Sequence, residues 1–126
     1  NDPIYAATRR KVLDYFQAIL QGAGFTKLCL IIPPEKTTRN DLSLLFPMIK
    51  MALRDLICFR FSEKCQAEFF TETKLLADLA SVISPEKAVK LYSLTQKLEA
   101  GLEQNANLFA TLSQFHLTSG RITLPS

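Results

Sequence analysis

Residues 40–61 read NDLSLLFPMIKMALRDLICFRF, and apolar side chains recur in them at Leu42, Leu45, Phe46, Ile49, Leu53, Leu56 and Ile57. Steps of three and four residues hold one face of an α-helix toward a core, because the chain turns once in about 3.6 residues. The spacing predicts a long central helix, capped by Asn40 or Asp41 and running to about Phe61. Pro47 falls within its first two turns, where a missing donor is tolerated near the end or bends the helix.

Upstream, Asp2-Pro3 reads as a helix start: Asp accepts from an orphan N–H, and proline at the first helical position loses no bond. A helix is predicted from Pro3 to Gln21, with Tyr5, Val12, Leu13, Phe16, Ile19 and Leu20 on one stripe and Gly22 and Gly24 beyond its end. The apolar run Phe25 to Ile32 suits either a buried strand or a short buried helix. The helical surroundings favour the helix. Pro33-Pro34 stops it, and 33–40 is a polar loop.

Downstream, a helix beginning near Glu72 turns Leu76, Leu79, Ala80 and Ile83 inward, and Ser84-Pro85 repeats the cap-plus-proline start. These two helices are expected to be antiparallel neighbours across a tight turn. The second carries Ala88, Leu91, Leu94, Thr95, Leu98 and Leu102 on one face, with Lys90, Ser93, Lys97 and Gln104 pointing away. Asn107 caps a last helix bearing Leu108, Leu112 and Phe115. A short strand has room only in the tail, Arg121 to Leu124. The fold class is therefore all-α, a compact bundle of five to six helices forming one domain over residues 1–126.

Composition narrows the function. Fifteen basic and twelve acidic residues leave a net charge of +3 spread along the chain, without the dense basic tract of a nucleic-acid binder. Cys29, Cys58 and Cys65 lack paired Cys-x-x-Cys spacing and have one histidine to join them, so they read as reduced core thiols rather than metal ligands. No apolar stretch nears the roughly 20 residues of a membrane span, and no secretory signal opens the chain, so a cytoplasmic setting is expected. The glycines, Gly22, Gly24, Gly101 and Gly120, build no Gly-Lys-Ser/Thr phosphate loop. His116 reads as a surface or helix-end histidine, and Glu99 with Glu103 as a solvated face. No catalytic, cofactor or metal site is read from the sequence.

Two arginines fall on apolar stripes. Arg9 and Arg60 each need a partner, an interface, or a stem laid over apolar surface with the head in water. Arg54 and Asp55 point about 100° apart on the helix, so they do not pair face to face, and each is expected to tie the helix to a neighbour. Val89 and Ala100 lie on the otherwise polar side of their helix, which makes that side, rimmed by Lys90 and Lys97, a candidate interface, with Arg9 a further candidate. A competing use is phosphate binding through Arg9-Arg10-Lys11 with Lys87, Lys90 and Lys97.

The stretch Met51-Ala52-Leu53-Arg54-Asp55-Leu56-Ile57, with Arg60 one turn on, and the later run from Ser84-Pro85-Glu86 to Asn105-Ala106-Asn107 resemble the collar domain of bacterial DNA polymerase III clamp-loader subunits. The delta-prime type is similar before the gamma/tau type, because the tail to Ser126 is short. Ser62 stands where many delta-prime sequences have Gly. The resemblance covers essentially the whole chain, and its family motif maps onto Arg54, Asp55, Arg60, Asn105 and Asn107. It implies a non-catalytic oligomerisation domain, preceded by ATPase-type domains upstream of Asn1, that packs against the collars of delta and gamma/tau subunits. DNA and the sliding clamp would be met only through the parent complex.

Overall fold

The computed structural model describes residues 2–61 and 66–122, which form six helices and no strand: α1 Pro3–Leu20, α2 Phe25–Ile31, α3 Arg39–Phe61, α4 Thr73–Val82, α5 Pro85–Glu103 and α6 Leu108–Ile122. They pack as an all-α bundle around α3. Its most extensive partner is α5, followed by α1 and α4, while α6 lies on α5 and α2, and α2 also touches α1. Ser62 and Cys65 lie outside the described residues, as does the tail beyond Ile122; Arg121 and Ile122 are the last residues of α6, not a strand.

Local chemistry sets most helix ends. Asp2 Oδ1 accepts from Ile4 N–H at 2.9 Å ahead of Pro3. At the other end of α1 the Ala23 N–H reaches the Ala18 carbonyl and the Gly22 N–H the Ile19 carbonyl. This closure needs a residue with positive φ, which Gly22 supplies at 80°. The helix stops one residue short of the predicted end, with Gln21 as its cap.

The start of α3 differs from expectation. Thr38, rather than Asn40 or Asp41, is the cap: its Oγ1 accepts from Asp41 N–H at 3.1 Å while Asp41 Oδ2 accepts from Thr38 N–H at 2.9 Å. Two orphan donors are satisfied reciprocally, so Asp41 belongs to the first turn. Pro47 leaves α3 unbroken, because it and Ser43, whose carbonyl loses its helical donor, both face solvent.

α4 and α5 are consecutive but do not pair as antiparallel neighbours. Ile83 and Ser84 are both extended, with ψ of 100° and 158°, so the chain leaves α4 in a new direction and each helix packs on α3 instead. Ser84 still caps α5, accepting from Lys87 N–H at 3.2 Å.

The core contains the predicted positions of α3, α4 and α5, with Leu94 and Ile57 at its margin. At its centre Phe115 stacks on Tyr15 at 5.7 Å between ring centroids and tilts against Phe46 at 5.6 Å. Tyr5 leaves the predicted α1 stripe and is exposed. Cys29 and Cys58 are half-buried rather than core residues.

Candidate functional site

The motif residues divide between two structural tasks. Asp55, buried in α3, faces the approach to α4 and accepts from three consecutive backbone donors: Glu68 N–H at 2.8 Å, Phe69 N–H at 2.8 Å and Phe70 N–H at 3.0 Å. Arg54 reaches the same segment by its own route, pairing with Glu68 at 2.8 Å. Each side chain thus ties α3 to a neighbour, as expected, and the neighbour is the same segment for both. Arg9 closes this clamp from α1, donating to the Phe69 carbonyl at 2.9 Å with its guanidinium 5.1 Å from the centre of the Phe69 ring. Phe69 and Phe70, buried by this arrangement, have no periodic helical context around them, and sequence reasoning did not find them.

Arg60 donates to the Ala80 carbonyl at 2.6 Å, near the carboxyl end of α4, where a cation complements the helix dipole. The residue is exposed as a whole and its guanidinium is paired in a part-buried bond, so it is neither fully buried nor unpartnered. Arg39 does the same for α5, donating to the carbonyls of Leu102 and Ala106. No periodic pattern singles out Arg39, since it sits at a helix start and acts on a chain segment far downstream.

Asn105 and Asn107 build the bend from α5 into α6. Asn105 takes a left-handed φ of 61°, which asparagine tolerates better than most side chains. This lets the N–H groups of Asn105 and Ala106 close on the carbonyls of Leu102 and Gly101. Asn107 Oδ1 then accepts from Ala110 N–H at 2.9 Å and caps α6, as its position predicts.

The candidate interface is the outer face of α5. Val89 is 49% exposed there, and Lys90, Lys97 and Ala100 are exposed with it. Arg9 does not join them: it is held in the clamp on α1. Arg10 lies 3.4 Å from Asp14 in an exposed pair one helical turn apart, which leaves its guanidinium at the surface. Beside the α5 face lies a groove of about 640 Å³ between α3 and α5, lined by Leu42 and Ala100 together with Arg39, Lys50, Glu99 and Glu103. Glu99 turns from Glu103 to Lys50, 2.6 Å away, whose ammonium also lies 5.9 Å from the Tyr92 ring centre.

His116 is a correction. It is fully buried, not a surface residue, with Nδ1 2.7 Å from the Tyr15 hydroxyl and Nε2 2.7 Å from the Ile32 carbonyl. A signal existed: Leu108, Leu112, Phe115, His116 and Ser119 repeat at helical spacing, placing the histidine within the apolar stripe of α6. Desolvation lowers its pKa, against the raising effect of the Ile32 bond. Burial pushes the Tyr15 hydroxyl well up, and it pushes the Cys29 thiol up with help from Glu35.

Among the described residues no group of three or more His, Cys, Asp or Glu side chains could hold a metal ion, and no helix is long and apolar enough to cross a membrane. No family model, curated protein or solved structure matches the chain.

Proposed function

We propose that this chain is a non-catalytic oligomerisation domain of the collar type, belonging to a delta-prime-like subunit of a bacterial DNA polymerase III clamp loader. The observation that carries the reading is the outer face of α5, where Val89 and Ala100 are exposed along one side with Lys90 and Lys97 at its edge, on the longest partner of the central helix. An interface of this kind has an apolar centre and a charged rim. The motif residues support the same reading from within: Arg54, Asp55, Arg60, Asn105 and Asn107 all hold helix ends or connections in place. Such residues stiffen a bundle that must present one face in a fixed orientation. The partners would be the collar domains of delta and gamma/tau subunits, in the cytoplasm, with ATP hydrolysis and contacts to clamp and DNA left to other parts of the complex. A gamma/tau collar is the alternative within the same class.

The test is light scattering coupled to size exclusion, on the chain alone and mixed with collar domains of delta and gamma subunits. A stable mixed complex is expected, lost in a variant carrying Val89→Asp, Lys90→Glu and Lys97→Glu. All three positions are exposed, and substitutions there leave stability within about 0.5 kcal/mol. Assembly that survives the triple change removes the α5 face, and a persistent monomer in every mixture removes the collar reading. Retention on DNA that weakens steeply with salt would instead favour phosphate binding through the α5 lysines.

A further inference from the structure

The ring of His116 is the meeting point of three segments distant in sequence. Tyr15 of α1 and Ile32, the residue that ends α2, stand 101 and 84 positions from it, and both ring nitrogens are used. A carbonyl can only accept, so Nε2 carries the proton and donates to Ile32. Nδ1 is then a bare acceptor, and the Tyr15 hydroxyl donates to it. This fixes a single neutral tautomer.

Adding a proton to Nδ1 sets two hydrogens against each other. The Tyr15 hydroxyl would have to turn and accept, keeping its own proton and pointing it toward Ser119, the other side chain that bears on it. Even that rearrangement leaves an imidazolium at 0% exposure. The groups that face it are neutral: Tyr15 from α1, the Ile32 carbonyl at the end of α2, and Phe115 with Ser119 from α6 itself. From α3, Phe46 closes the site behind Phe115. Cys29 on α2 bears on Tyr15, and the carboxylate of Glu35 acts on Cys29 rather than on the ring. No carboxylate among the described residues bonds to His116 to offset a charge.

We propose that Tyr15, His116 and Ile32 form an acid-sensitive latch, in which protonation of His116 unseats α6 from α1 and from the end of α2 while the α3–α5 pair persists. The order follows from the packing. α2 has seven residues and one fully buried side chain, so it depends on its seat against α6 and α1, whereas α3 and α5 share the largest contact in the bundle. The imidazole is neutral in the closed form and free to charge in the open one. The open population is therefore constant above about pH 6.5 and rises by about tenfold per pH unit below it.

The chain has one histidine, so nitrogen-correlated NMR of the ring reports its tautomer and charge without ambiguity. A titration from about pH 7.5 to 4.5, read together with amide exchange in α2, α6 and α3, is the test. The expected result is an Nε2–H tautomer at neutral pH, and charging of the ring in step with lost protection in α2 and α6 ahead of α3. His116→Gln keeps a donor for Ile32 and an acceptor for Tyr15 but cannot charge, and it should abolish the step. Tyr15→Phe removes the donor to Nδ1 and should move the opening to higher pH. Charging of the ring within a fully protected bundle overturns the latch, as does simultaneous loss of α2, α6 and α3. Should His116→Gln fail to fold, an unchanged opening midpoint in Tyr15→Phe overturns it equally.

Discussion

Two polar clamps join distant parts of this bundle, and they work by opposite means. The one around Asp55 is ionic: a buried carboxylate gathers three backbone N–H groups, and Arg9 and Arg54 bind the same short segment from either side. The one around His116 is neutral, an imidazole strung between a hydroxyl and a carbonyl. Irregular backbone near a core needs partners for its donors, and a carboxylate offers up to four acceptor positions on one side chain. Joining three helices needs only one donor and one acceptor pointing in different directions, which a histidine ring supplies.

Replacing each centre should expose that difference. Asp55→Ala strands three backbone donors, each costing about 1–3 kcal/mol when left unpaired in the interior. A loss of about 4 kcal/mol in chemical denaturation is expected, with exchange at Glu68, Phe69 and Phe70 rising first. A loss under about 1 kcal/mol would mean that water replaces the carboxylate and that the clamp is not structural.

His116→Leu should cost less, about 2–3 kcal/mol, since it strands one hydroxyl and one carbonyl but fills the space with apolar atoms. Its stability should also lose the fall that the wild type shows below about pH 6.5. The sign follows from burial: the folded-state pKa of His116 is lowered, so its contribution is complete above the unfolded value and is lost as pH drops. Parallel pH curves for wild type and His116→Leu would break the contrast between the clamps.

Arg9→Ala sharpens it from the ionic side. The carbonyl of Phe69 loses a charged donor and its ring loses a cation, together about 1–2 kcal/mol. Arg9→Lys should recover part of this, because a compact ammonium lacks the fork of donors that serves the carbonyl and the ring together. The smallest effect belongs to the bend after α5. Asn105→Ala places an ordinary side chain at a φ of 61° and should cost about 1 kcal/mol, whereas Asn105→Gly should be neutral or slightly stabilising.

The helices themselves were readable in advance because their signals are local. Periodicity in 42–57, Ser84-Pro85 and Asn107 depend on residues within a turn or two of one another. The start of α3 is not legible in the same way, because Asn40 and Asp41 compete as caps with Thr38, and only the reciprocal bond between Thr38 and Asp41 decides among them. The expected pairing of α4 with α5 failed for a different reason: chain proximity says nothing about direction once two extended residues separate two helices. Of the candidate site, exposure of Val89, Lys90, Lys97 and Ala100 could be read from helix phase alone. The engagement of Arg9 with Phe69 could not, because its partner lies 60 positions away in a segment without periodicity.

The two arginines at the ends of α3 have a further consequence. Arg39 grips the carboxyl end of α5 and Arg60 grips that of α4, and the two lie about 32 Å apart along an axis that rises about 1.5 Å per residue. α3 is in this sense a ruler with a hook at either end. Adding or deleting one residue between the hooks would swing one of them through about 100° and off its carbonyls. The length of α3 is thereby fixed in whole residues.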